Sequence, residues 1–224
     1  MIDPSLTYPE QLRRRADAIA TACIHAGDAP DSEGALDPPI VMSSAFTSAA
    51  HAARAFRGEE EAWICGRWGN PTVEALEQKL AALEGAESAC VTASGMAAIA
   101  GVLLATCEAG DHVVAPRSMY AESARLLRER LPKLGITTTF VDGTPEAYAS
   151  ALTDRTRLLY VETPSNPTLG VVDIGGVVRV AEAARGARGA NGTRPVVLVD
   201  GTFATPFAQT PLALGADLVV HSRE

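Results

Sequence analysis

Lysine is nearly missing from this chain: Lys79 and Lys133 are the only two among 19 basic Lys and Arg residues. Any chemistry that needs a lysine amine therefore has two candidates in these 224 residues. Cysteine is also scarce. Cys23, Cys65, Cys90 and Cys107 show no Cys-x-x-Cys spacing and lie in apolar or helical contexts, which predicts buried free thiols in a reducing compartment and no disulfide framework. No apolar run approaches the ~20 residues that cross a bilayer; the longest extends from Met96 to Cys107. Asp3 and Glu10 precede Arg13, Arg14 and Arg15 with no long apolar stretch behind them, which argues against a secretory signal and makes the cytoplasm the default address.

Several nucleotide and hydrolase signatures are lacking as well. No Gly-x-Gly-x-x-Gly follows a strand, and Gly186, Gly189 and Gly192 have the wrong spacing for dinucleotide binding. There is no Gly-Lys-Ser/Thr of a P-loop. Ser94 lacks the first glycine of a nucleophile elbow, because position 92 is Thr92. Cys23 with His25 is too sparse for a metal site.

What is present is ordinary globular usage, with 47% hydrophobic and 21% charged residues. The net charge of -8 repels phosphate polymers and anionic membranes, which points to a small-molecule partner and away from nucleic acid or membrane. Residues 1 to about 65, rich in Pro, Ser and Asp, read as an N-terminal arm with helix candidates at 9–21 and 49–56. From Asn70 the pattern changes. Thr72 can cap a helix with Val73, Leu76, Leu80 and Leu83 at helical spacing and Gly85 behind it. Strand-length apolar runs follow at 89–92, 112–115, 136–141, 158–161, 196–200 and 218–221, with helical stretches at 97–107, 121–134 and 174–185 between them. Strands alternating with helices predict an α/β fold with a parallel sheet covered on both faces. Gly186 to Thr193 reads as a flexible loop.

In such sheets ligands bind beyond the carboxyl ends of the strands, so the strand tips carry the chemistry. Ser94-Gly95-Met96 leads directly into a helix, where free backbone N–H groups can hold an anion; a plain strand-to-helix turn has the same appearance. Asp200 ends Val196-Val197-Leu198-Val199, either as a loop cap or as a partner for a cationic ligand nitrogen. Glu162, followed by Thr163-Pro164-Ser165-Asn166-Pro167, begins a stiff polar loop that suits ligand positioning or a structural turn equally. Tyr120 at a helix start could stack on a planar ring or simply pack. His221 and Ser222 close the last strand.

Taken together and in order, these segments resemble the Cys/Met-metabolism family of pyridoxal-phosphate enzymes, which includes cystathionine γ-synthase, cystathionine γ-lyase and methionine γ-lyase. The resemblance is carried by Ile24-His25-Ala26-Gly27, Pro38-Pro39-Ile40, Arg67-Trp68-Gly69-Asn70-Pro71-Thr72, Ser94-Gly95-Met96, Glu162 to Pro167, Asp200 to Pro206, and Leu214-Gly215-Ala216-Asp217 running into His221-Ser222. It implies the three-layer large domain of aspartate-aminotransferase-like enzymes over 66–224, pyridoxal 5'-phosphate as cofactor, β- or γ-elimination or replacement on sulfur amino acids or O-acylhomoserine, and a homotetramer built as a dimer of dimers. It also implies roles. Gly95 and Met96 would offer N–H groups to the cofactor phosphate, with the Ser222 hydroxyl beside them. Arg67 would reach the phosphate of a neighbouring subunit. Tyr120 would stack on the ring and act in catalysis, Asn166 would contact the ring hydroxyl, Asp200 would hold the ring nitrogen protonated, and Thr202 beside it would also bind the cofactor.

The departures from the family pattern are specific. Cys65 stands where a phosphate-binding Tyr is usual, Gly201 replaces Asn after Asp200, and Glu122 occupies a commonly small substrate-side position. The family motif His-Ser-x-Thr-Lys ends in the lysine that carries the Schiff base, whereas here Ser222 is followed by Arg223 and Glu224. Glu224 would repel the phosphate that a Thr there should hold. Lys79 and Lys133 read as solvated surface charges, unable to substitute. The expectation is a chain truncated before its catalytic lysine, without the family's C-terminal domain and without the antiparallel strand that lies beside the 89–92 run, and inactive alone. The alternative is a non-catalytic relic that binds a phosphorylated ligand or pairs with a full-length homologue.

Overall fold

The computed structural model describes residues 8–28, 34–35, 37–46, 48–184 and 194–223. The Gly186–Thr193 loop and Glu224 lie outside the described residues. The chain divides into two compact units, Met1–Val91 and Thr92–Glu224.

The first unit contains helices α1 (Tyr8–His25), α2 (Ala49–Phe56) and α3 (Pro71–Glu84). Helix α3 shows why its sequence folds as it does. Pro71 occupies its first turn, where a missing N–H costs nothing, and Gly85 ends it in the left-handed region at φ 67°. Its N-cap is Asn70 and not Thr72: the Asn70 side chain accepts the Thr72 N–H at 2.8 Å, which frees the Thr72 hydroxyl to accept the Val41 N–H at 2.9 Å. The run 89–92 forms no strand. Among the described residues no strand pairs with it, and the Val91 N–H donates to Glu77 Oε1 at 2.8 Å instead. The expectation of uniformly buried thiols also fails, because Cys23 and Cys90 are exposed, Cys65 is half-buried and only Cys107 is buried. Lys79 is not a freely solvated charge: its ammonium donates to the Ile24 carbonyl at 2.6 Å and to Asp28 Oδ1 at 3.2 Å. Lys133 is exposed.

Among its described residues the second unit holds five strands, β1 (His112–Pro116), β2 (Thr137–Val141), β3 (Thr156–Glu162), β4 (Val196–Asp200) and β5 (Leu218–Val220), in the order β2-β1-β3-β4-β5 with every neighbouring pair parallel. Central strands buried on both faces read as continuous apolar runs, as Val196 to Val199 does. Alternate residues of each strand enter different cores. Val113, Ala115, Leu158, Tyr160 and Leu198 face a cluster that includes Ile99 and Leu103 of α4 (Gly95–Thr106), while Val114, Leu159, Val161, Val197 and Val199 face Tyr148 of α6 (Pro145–Ser150) and Val177 and Ala181 of α7 (Ile174–Ala183). This is the expected three-layer α/β arrangement. The stretch 121–134 is helical but not one helix: α5 (Ala121–Arg125) is followed by a π-helical turn at Leu126–Arg130 and a 3-10 turn at Leu131–Leu134 that contains Pro132, a residue with no N–H to donate. Helix α6 and the four-residue α8 (Thr205–Ala208) were not expected; Thr144 caps α6 through the Ala147 N–H, with Pro145 next to it, a start signal that a short helix makes easy to overlook.

Candidate active site

Parallel strands point all their carboxyl ends the same way, so the loops after β1, β3, β4 and β5 meet at one edge of the sheet. Register fixes who meets whom: Glu162 pairs with Asp200 across β3 and β4, and Asp200 with Val220 across β4 and β5. At this edge lies a cavity of about 170 Å³ whose wall includes Gly95, Met96, Tyr120, Asn166, Asp200, Thr202 and Ser222. These are seven of the eight residues singled out from the sequence. The eighth, Arg67, is an exposed turn residue of the first unit.

Asp200 is 6% exposed and firmly oriented. Its Oδ1 accepts the Thr202 N–H at 3.1 Å and the Thr202 hydroxyl at 2.6 Å, and its Oδ2 accepts the Tyr160 hydroxyl at 3.2 Å. Burial, with the Asp200 charge next to it, pushes the Tyr160 phenol well above its ordinary range, so it remains a donor. A carboxylate offers about four acceptor positions, and these three bonds leave one on Oδ2 for a further donor.

The opposite wall is the first turn of α4. Ser94 caps this helix by accepting the Ala97 N–H at 3.1 Å, and the N–H groups of Gly95 and Met96 belong to the turn that helix geometry leaves without internal acceptors. A Cβ on Gly95 would stand 2.5 Å from Ser222 Cβ, so only glycine allows Ser222 this close. The Ser222 N–H donates to Thr202 Oγ1 at 2.9 Å, yet Ser222 Oγ is buried and has no hydrogen-bond partner among the described residues. Buried hydroxyls are normally paired, and one left beside the open end of a helix is a donor awaiting an anion. The residues present thus fit pyridoxal 5'-phosphate, with donors for its phosphate at one wall and a free acceptor for its ring nitrogen at the other.

Ile99, Glu162, Pro164 and Phe203 also line the cavity and were not among the expected site residues. Glu162 carried a signal, an acid closing a buried strand, but its spacing gave no role. It is 4% exposed; burial raises its pKa, the Asn166 and Tyr120 N–H groups oppose that rise, and the Asp200 charge adds to it. Tyr160 could not be found from sequence, because an apolar-looking strand interior gives no hint that its hydroxyl reaches the next strand. A second hollow of about 630 Å³ lies between α6 and α7, and within it Arg179 pairs with Asp173 at 3.3 Å.

Comparison with known proteins agrees with this geometry. The model of the Cys/Met metabolism PLP-dependent enzyme family matches residues 20–224. L-methionine gamma-lyase of Fusobacterium nucleatum subsp. polymorphum is 42% identical over 207 residues, 91% of this chain and 50% of that protein. O-succinylhomoserine sulfhydrylase of Pseudomonas aeruginosa is 38% identical over 211 residues, 92% of this chain and 49% of that protein. The crystal structure of metB from Corynebacterium glutamicum matches with a TM-score of 0.81 at 38% identity, covering 91% of this chain and 50% of that one. A structure from Campylobacter jejuni with N'-pyridoxyl-lysine-5'-monophosphate matches with a TM-score of 0.82 at 28% identity, over 91% of this chain and 49% of that one. The chain spans about half the length of the curated relatives it matches. With five parallel strands, a cavity at their carboxyl ends and a family model matching across most of its length, the chain belongs to the Cys/Met metabolism PLP-dependent enzymes.

Proposed function

We propose that this chain supplies the cofactor-binding half of an enzyme catalysing β- or γ-elimination or replacement on a sulfur amino acid or an O-acylhomoserine. Bound pyridoxal 5'-phosphate supplies an electron sink for negative charge developing at the substrate α-carbon. Gly95, Met96 and Ser222 hold the phosphate, Arg67 of a neighbouring copy adds a bidentate contact to it, and Tyr120 stacks on the ring and acts in catalysis. Asn166 meets the ring hydroxyl. Asp200, kept rigid by Thr202 and Tyr160, accepts the ring N–H and so keeps that nitrogen protonated.

The observation that carries this reading is the partnerless, buried Ser222 hydroxyl against the first turn of α4. It predicts that inorganic phosphate competes with pyridoxal 5'-phosphate, and that Ser222→Ala weakens both. Cofactor binding indifferent to phosphate and to Ser222→Ala would refute it. For the whole protein, release of a 2-oxo acid from methionine or an O-acylhomoserine is the matching activity assay.

A second reading, binding of a phosphorylated ligand without catalysis, is favoured by one observation: Lys133, the lysine of the second unit, does not line the cavity, while the Lys79 ammonium is engaged by the Ile24 carbonyl and Asp28 within the first unit. Borohydride treatment of the chain with bound cofactor, followed by peptide mapping, separates the two. Cofactor retained without modification of either lysine supports binding alone over these residues, and modification at Lys79 or Lys133 overturns it.

A further inference from the structure

Tyr120 and Asn166 stand on different loops, 46 residues apart in the chain, and one side chain is bonded to both. Glu162 receives the Tyr120 N–H on Oε1 and Oε2, each at 2.9 Å, and the Asn166 N–H on Oε1 at 2.8 Å. It lies at the end of β3 and is 4% exposed; among the described residues no Lys, Arg or His pairs with it. A buried carboxylate without a cation is an expensive group, tolerable only where N–H donors disperse its charge, and here those donors are the backbones of the two cavity loops. Tyr120 needs this tether. It is the N-cap of α5, with φ −53° and ψ 132°, and no side chain caps that helix. Glu162 itself rests on a strand buried on both faces and registered against Asp200.

We infer that Glu162 is a positioning residue that locks the Tyr120 and Asn166 loops together and so sets the spacing between the stacking ring and the ring-hydroxyl contact. The inference rests on the reading that the cavity holds pyridoxal 5'-phosphate, and it assigns to Glu162 no contact with the ligand. The phosphate end, at α4 and Ser222, has no bond to Glu162 and should not feel its loss.

Glu162→Gln keeps the shape and one oxygen but turns the other acceptor into an NH2 that faces a donor. In the full chain, the ratio of pyridoxal 5'-phosphate affinity to inorganic phosphate affinity should fall about tenfold, with phosphate affinity itself unchanged. Amide exchange at Tyr120 and Asn166 should accelerate together while β3 and β4 remain protected, and adding Glu162→Gln to Tyr120→Ala should weaken cofactor binding less than it does in the wild type. A merely structural glutamate would lower both affinities in parallel and loosen the strands. An unchanged affinity ratio, or faster exchange at only one of the two amides, overturns the inference. Wild-type chain that binds phosphate but shows no preference for pyridoxal 5'-phosphate overturns the cofactor reading instead, and the paired exchange at Tyr120 and Asn166 then decides the tether by itself.

Discussion

Helix α4 contains two glycines whose replacement by alanine should have opposite effects. Alanine is worth up to about 1 kcal/mol over glycine in a helix, and nothing stands within 4 Å of a Cβ built on Gly101, so Gly101→Ala should realise most of that gain. At Gly95 the same methyl meets Ser222 Cβ at 2.5 Å, Oγ at 2.6 Å and Cα at 3.1 Å. Rotating the hydroxyl cannot relieve contacts to Cβ and Cα. Ser222 must move, and its N–H is tied to Thr202, whose hydroxyl is tied to Asp200. Overpacking of this kind costs ~1 to 3 kcal/mol, more than the propensity gain, so Gly95→Ala should be less stable than wild type by roughly 0 to 2 kcal/mol. The two variants should therefore differ by about 1 to 3 kcal/mol in urea unfolding, and only Gly95→Ala should lose affinity for inorganic phosphate. Equal stability of the two variants, with phosphate affinity intact in Gly95→Ala, would refute the close approach of α4 and Ser222 on which the anion site depends.

Other consequences follow from the same groups. Ser222→Ala should cost no stability and can raise it by about 1 kcal/mol in urea unfolding, because it removes a buried hydroxyl that lacks a partner among the described residues. Tyr160→Phe should destabilise by about 1 kcal/mol, the net worth of one hydrogen bond plus an Asp200 left short of a donor, and the ¹⁵N shift of ring-labelled cofactor should report a changed contact with Asp200. The pKa of Glu162 is raised in the fold, so the native state holds that proton more tightly than the unfolded chain. Stability from this group is present below the ordinary glutamate pKa and declines as pH rises toward the raised value. Glu162→Gln should flatten that limb of the stability-pH profile, and a limb unchanged in the variant would assign it to another group.

The sequence was most informative where periodicity and burial coincide. The central strands and helix α7 are recognisable because each fills a buried layer and must be apolar at a fixed spacing. It misled where a local signal depends on a distant partner. The 89–92 run has strand-like composition, but a strand exists only with a neighbour, and Glu77 satisfies Val91 instead. Thr72 has the chemistry of a cap, yet Asn70 holds that role while the Thr72 hydroxyl accepts the N–H of Val41, 31 positions away. The site shows the same division. Asp200, Tyr120 and Asn166 stand at strand ends or in the loops that follow, where position alone marks them, whereas Tyr160 and Glu162 act through hydrogen bonds to residues 40 and 42 positions away, which no local pattern encodes.

Charge distribution in the cavity favours one orientation of the proposed ligand. Asp200 and Glu162 are adjacent across the sheet, and their mutual repulsion is one reason the Glu162 carboxyl is harder to ionise. An anion placed against them would add a third negative charge in a region with little water, where screening is weak. The first turn of α4 offers the reverse: unpaired N–H groups, the positive end of the helix dipole and a hydroxyl free to donate. A ligand with an anionic group at one end and a protonatable ring nitrogen at the other therefore fits in one orientation only. In that orientation the nitrogen would meet the remaining acceptor position of Asp200, and the proton it holds would be stabilised by the same pair of acids that disfavours the phosphate there.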